Sequence, residues 1–246
     1  MKGGQTMKET REEMCLNKVK ECVLKNQVKH DLSPEDFLTI KEIIFEAVRN
    51  PMNSKFPDFI LDFAIIEHFR VTSSKETAKG AKDAVEKFHF SKKCEKELKE
   101  LVEETADVAA PNEMRVMKKK MDCPEYRYEY FVASVEKNLE RHIASLRKYK
   151  KSNKKVVFLM EYEGPIFPIM KTNEFVDFYD LQKDEKLLLY IYQFGDLIDY
   201  IVFYDQTECE FIKVEDMFKL SKNVPKEIWF ESGKLKYFNI SILLDF

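Results

Sequence analysis

"PDFILDFAIIEHFRV", residues 57–71, decides how this chain is read. Two apolar runs of strand length flank Asp62, so the stretch reads as a hairpin of strands 58–61 and 65–72 that turns near Asp62. Side chains alternate across a strand, which sets Asp58 and Ile60 on one face of the first run. On the second run Ile65, Glu67, Phe69 and Val71 share a face. A turn near Asp62 therefore brings Asp58 and Glu67 opposite one another. Two carboxylates a few ångströms apart repel unless one is protonated or a cation lies between them. A hard divalent ion with oxygen ligands, Mg²⁺ or Mn²⁺, is the economical partner. Such an ion orients an attacking water and stabilises a phosphorane-like transition state.

Outward from the hairpin, the order of elements can be read from periodicity. Residues 12–25 form a surface helix. In "DLSPEDFLTIKEIIFEAVRNP", Ser33 caps a second helix, Pro34 suits its first turn and Asp36 stands where a capping-box acid helps. Phe37, Ile40, Ile44 and Val48 share one face, and Asn50-Pro51 stops the helix near Arg49. Residues 73–125 turn Lys/Glu-rich and helical in pattern, which marks a helical insertion ending around Asp122-Cys123-Pro124. A long helix over 126–149 places Tyr128, Val132, Val135, Leu139, Ile143 and Leu146 on one face. The strand "VVFLMEY" follows, then a helix at "DEKLLLYIYQF", strands at "DYIVFYD" and "CEFIKV", and an aromatic tail. The 246 residues thus make one domain: a first core helix and hairpin over 30–72, the insertion over 73–125, and the second core helix, remaining strands and C-terminal extension over 126–246. The fold class is α/β, a mixed sheet flanked by helices.

On Pro57-Asp58 and the Glu67-His68-Phe69 triplet, the stretch resembles the active-site signature of the PD-(D/E)xK, or restriction-endonuclease-like, nuclease superfamily. The Glu-His-Phe ending is similar to a divergent branch, found among helicase-associated and stand-alone bacterial nucleases, that lacks the triplet lysine. The resemblance implies an αβββαβ core carrying a helical insertion, and a metal-dependent nuclease-like protein that cleaves or binds DNA or RNA phosphodiesters. It implies Asp58 and Glu67 as metal ligands and catalytic residues. Phe69 stands where the lysine would hold the nucleophilic water, so that role passes to His142, on a polar stripe with Ser134 and Asn138, or to Lys79 beside Gly80. The alternative is a catalytically degenerate nuclease fold, a nucleic-acid-binding or protein-interaction module in a defence or mobile-element setting.

A formal net charge of -3 gives no global attraction to nucleic acid, so any grip on phosphates falls to a local cluster. "RKYKKSNKK" supplies one, with Arg147, Lys148, Lys150, Lys151, Lys154 and Lys155 as phosphate contacts. Six glycines and no GxGxxG or GxxxxGK[ST] exclude the standard nucleotide-binding loops. Five cysteines, none spaced CxxC, fit free thiols in a reducing cytoplasm better than a disulfide framework or a zinc site. No apolar stretch resembles a signal peptide or reaches membrane-spanning length, and the expected localisation is cytoplasmic with no membrane partner.

Overall fold

The two most apolar strand candidates pair with each other in parallel at the middle of the molecule, Ala64–Val71 against Lys155–Tyr162, in the register Glu67 to Phe158 and Arg70 to Glu161. Both are buried along nearly their whole length, which is what continuous Val/Ile/Phe runs require of a strand covered on both faces. The computed structural model describes residues 9–52, 56–77, 80–105, 114–121, 125–149, 153–165, 167–234 and 238–245.

Seven strands make the main sheet: β1 (Val28–His30), β2 (Val48–Arg49), β3 (Phe59–Ile60), β4 (Ala64–Val71), β5 (Lys155–Tyr162), β6 (Tyr200–Tyr204) and β7 (Cys209–Lys213), in the order β1-β7-β6-β5-β4-β3-β2. Strands β2, β3 and β4 run antiparallel in succession, β4, β5 and β6 are parallel, and β1 lies parallel at the far edge beside β7. Six α-helices are described: α1 (Arg11–Leu24), α2 (Pro34–Glu46), α3 (Lys82–Thr105), α4 (Tyr128–Lys148), α5 (Glu185–Tyr192) and α6 (Met217–Asn223). The fold is α/β with a mixed sheet. Its central run is α2, β2, β3, β4, α4 and β5, with those four strands adjacent in chain order.

Each face of the sheet has its own core. Helices α1 and α2 cover the face of Ala64, Ile66, Val157 and Leu159 with Leu16, Val19, Ile40 and Ile43. Helix α4 covers the other face, where Phe131, Val135, Leu139 and Ile143 pack on Ile65, Phe69, Phe158 and Met160. Ser33 caps α2 as expected, its Oγ accepting from the Asp36 N–H at 3.1 Å. Asp36 in turn accepts from Tyr200 Oη at 2.7 Å, which fastens the helix to β6. Thr10 and Glu13 form a capping box on α1, and Arg49 donates to Glu13 at 2.8 Å, tying the edge strand β2 to that helix.

Three elements differ from the sequence expectation. The second helix ends at Glu46 rather than near Arg49, because Val48 and Arg49 leave it to pair with Ile60 and Phe59. The region 73–125 holds the expected helix, α3, but also the strand Met114–Met121, which pairs antiparallel with Phe238–Asp245. Met and Lys favour helices locally, and a partner more than a hundred residues away overrides that preference. A small three-stranded sheet also joins Pro168–Lys171, Glu174–Phe178 and Ile228–Phe230. Thr172 and Asn173 both have positive φ, 51° and 65°, in the two-residue turn of its hairpin.

Asp184 locks α5 to α4. Its carboxylate, in a residue only 1% exposed, caps the Leu187 N–H at 3.0 Å and accepts from Tyr128 Oη at 2.7 Å and Tyr179 Oη at 2.9 Å. Asp184→Ala removes a cap and strands two tyrosine hydroxyls, and should lower stability by about 3 kcal/mol in urea unfolding, with Asp184→Asn losing less.

Candidate functional site

Adjacent residues of β4 point to opposite faces of the sheet, so Glu67 and His68 head two separate polar clusters. Glu67 faces α4. Asp58 lies immediately before β3 and meets β4 beyond the last backbone pair of Phe59 with Ile66. There each acid caps the other strand: the Asp58 N–H donates to Glu67 Oε2 at 3.1 Å, and the His68 N–H donates to Asp58 Oδ2 at 2.8 Å. The expected juxtaposition of Asp58 and Glu67 is present.

The pair is electrostatically loaded. Burial, followed by the charge of Glu67, pushes the Asp58 carboxyl up to about 6. The charge of Glu12, at the start of α1 and 46 positions away in the chain, adds to the rise. The glutamates of α2, Glu42 and Glu46, are exposed away from the pair.

His142 completes the cluster. The stripe Ser134, Asn138, His142 on α4 runs along β4: Ser134 Oγ accepts from the Thr72 N–H at 3.2 Å, Asn138 is buried against Ser134, and His142 Nδ1 lies 2.5 Å from Glu67 Oε1. Arg141 Nη2 lies 3.1 Å from the other ring nitrogen, Nε2. A guanidinium only donates, so Nε2 offers a lone pair and Nδ1 carries the proton given to Glu67. Phe69 is 3% exposed, stacked on the His142 ring at 5.0 Å and edge-on to Phe158. The triplet position that lacks lysine is therefore filled by packing.

The other site candidates are placed less centrally. Lys79, Lys150 and Lys151 lie outside the described residues. Arg147 and Lys148 are exposed in the last turn of α4. Lys154 donates to the Leu61 carbonyl in the hairpin turn, and Lys155 pairs with Asp199 at 2.8 Å, so both have local structural partners. Lys155 pairs in register with Ala64, three residues or about 10 Å along the strand from Glu67. Asp62 is exposed in the turn.

His68 faces α1. Its Nε2 lies 3.0 Å from Glu161 Oε2, and Arg11 holds the same carboxylate through both oxygens, at 3.1 Å and 2.6 Å. Arg11 also pairs with Glu163, whose other oxygen takes Arg70 at 3.4 Å. Burial works to raise the Glu161 carboxyl, but the bonds from His68 and Arg11 outweigh it and hold it below the ordinary 4.5. Glu161 is a buried partner of this network rather than a solvated strand end. The Cys15 Sγ joins it, with Cys15, His68 and Glu161 each offering one ligand atom and all three atoms within 4.8 Å of one another. This buried group could hold a metal ion. Alternation alone signals that His68 and Glu67 part company, but nothing local to Arg11 or Cys15 points to Glu161.

No family model matches the chain, and no curated protein or solved structure is significantly similar to it. Among the described residues no helix is long and apolar enough to cross a membrane.

A group whose folded pKa is raised binds its proton more tightly in the folded state. Asp58 therefore withdraws stability as pH rises from its ordinary 3.8 through about 6. Asp58→Asn, which retains an acceptor for the His68 N–H, should flatten the dependence of unfolding free energy on pH across that window. An unchanged slope would show that Asp58 is not the titrating group.

Proposed function

We propose that the chain is a nuclease-like protein of the PD-(D/E)xK type, acting on DNA or RNA phosphodiesters with Mg²⁺ or Mn²⁺. The observation that carries this reading is the meeting of Asp58 and Glu67 across β3 and β4, the second and third strands of an α-β-β-β-α-β run with adjacent strands. That run is the core order the superfamily resemblance implies.

The donor set fits a hard cation. Asp58 and Glu67 offer only carboxylate oxygens, and each oxygen that already accepts one hydrogen bond keeps a further lone pair. Among the described residues neither acid pairs with a lysine or arginine, so the site's negative charge is left for a cation to neutralise. Mg²⁺ bound there would supply Lewis acidity and a more acidic water. The protein's own residues account for the rest. The Asp58 and His68 backbone amides fix the two carboxylates, and His142 orients Glu67 through Nδ1–H. The Nε2 lone pair of His142, covered only by the exposed Arg141, is the proton acceptor that stands in for the missing lysine. Arg147 and Lys148, exposed in the last turn of α4, suit backbone phosphates.

A second reading is favoured by Phe69. With an apolar ring buried at the triplet position, the same fold serves as a binding module that no longer cleaves.

The test is a panel of single- and double-stranded DNA and RNA incubated with the full chain and Mg²⁺ or Mn²⁺. The leading reading expects metal-dependent cleavage that Glu67→Ala abolishes and His142→Ala lowers by about 100-fold or more. Salt-sensitive binding without cleavage, unaffected by Glu67→Ala, would favour the second reading. Neither binding nor cleavage would remove both.

A further inference from the structure

Behind the acid pair, on the opposite face of the sheet, the Cys15, His68 and Glu161 cluster has a different chemistry. Its three donors are a thiol, an imidazole and a carboxylate, brought from α1, β4 and β5 by residues 2%, 7% and 3% exposed. We propose that these three side chains form a Zn²⁺ site that fastens α1 to the centre of the sheet.

The donors are those zinc takes, and their mixed softness discriminates against Mg²⁺ and Ca²⁺, which prefer oxygen alone. Zinc bonds of about 2.0 to 2.3 Å place tetrahedral neighbours about 3.5 Å apart. His68 Nε2 and Glu161 Oε2 already stand at 3.0 Å, and the three donor atoms span no more than 4.8 Å. Rotation about the side-chain bonds of Cys15 and Glu161 suffices to close on an ion, without movement of the strands. Two oxygens serve Glu161 well here. Oε2 turns to the ion and gives up its 3.1 Å bond from Arg11 Nε, while Oε1 keeps its 2.6 Å bond from Arg11 Nη2, the kind of outer contact that orients a ligating carboxylate.

Charge balances at the ligands, and Arg11 has a second carboxylate, Glu163, as its own counter-ion. On binding, the Cys15 thiol releases its proton to solvent, and thiolate, carboxylate and neutral imidazole bring Zn²⁺ to zero net charge. The Arg11 side chain, 41% exposed, caps the cluster from the solvent side. Three protein donors leave a fourth position for a water, and the burial of all three residues sets that position apart from bulk solvent, which favours a structural role. Each metal would then have its own face: zinc on the α1 side through Cys15, His68 and Glu161, and the hard cation of the proposed active site on the α4 side through Asp58 and Glu67.

The test uses the purified full chain, stripped of metal and titrated with Co²⁺ as a coloured substitute for Zn²⁺. A thiolate-to-cobalt band in the near ultraviolet should grow to one ion per chain and be bleached by added Zn²⁺. Cys15→Ser should lose the band. Cys22→Ser, whose native thiol is hydrogen-bonded with that of Cys209, and Glu67→Gln should both keep it. A folded wild-type chain without the band, or a band that persists in Cys15→Ser, overturns the proposal. Should Cys15→Ser fail to fold by circular dichroism, His68→Gln replaces it: Co²⁺ affinity reduced by at least about tenfold supports the site, and unchanged affinity overturns it. Because the readout is spectroscopic, absence of nucleic-acid cleavage with the band present removes only the nuclease reading.

Discussion

Strand β4 is buried on both faces, and consecutive side chains of a strand must take opposite sides. That constraint places Glu67 under α4 and His68 under α1, and most of what is unusual in the molecule follows from it. A charged or titratable group inside a sheet core needs a partner on its own side, since the sheet separates it from everything on the other. The chain meets the need twice with different chemistry. Beneath α4 it uses a second acid and a neutral histidine. Beneath α1 it uses an arginine forked onto a glutamate, with a histidine sharing an oxygen. The parallel register of β4 with β5 links the two, because it sets Glu161 beside Arg70 while Phe158 lies beside Glu67.

The folding of the surrounding core serves the same end. Helix α4 carries Ser134, Asn138 and His142 at intervals of four, so one edge of an otherwise apolar stripe tracks β4 for about two turns. Its aliphatic positions, Val135, Leu139 and Ile143, pack in the same core as Ile65, Phe69 and Val71 and so press the stripe onto the strand. Stacking on Phe69 adds to that restraint. Thus Phe69, one residue beyond His68, packs on the ring that bonds Glu67.

How much of this was legible before the structure depended on the range of the signal. The hairpin, the cap at Ser33 and the long apolar face of α4 are written in neighbouring residues, and each was read correctly to within a few positions. The meeting of Asp58 with Glu67 is also local, fixed by a turn and by the period of two. His142 was reachable because a helix repeats its face every turn. What failed was long range: Met114–Met121 looks helical until Phe238–Asp245 is known to lie beside it. Likewise Arg11 is only one charge in a charged segment, and its attachment to Glu161 spans 150 positions. Lys154 and Lys155 kept their place in a basic run, but the structure assigns both to local contacts, the Leu61 carbonyl and Asp199.

Comparison of the two clusters explains why one is the better candidate for chemistry. Glu161 is buried, yet its pKa is held down because Arg11 and His68 compensate its charge. Asp58 shows the opposite sign. Its carboxyl is pushed up to about 6 by burial and by Glu67, with no arginine or lysine among the described residues to offset either. Uncompensated negative charge destabilises a fold at neutral pH, and a structural network would be expected to contain its own counter-ion. The α1 face does contain one. On the α4 face, among the described residues, neither of the two converging acids pairs with an arginine or lysine, and Glu67 leans on His142 instead, so the repulsion is eased where Asp58 keeps its proton. Burial and a neighbouring acid thus leave the Asp58 carboxyl, unlike that of Glu161, holding its proton tightly in the folded state.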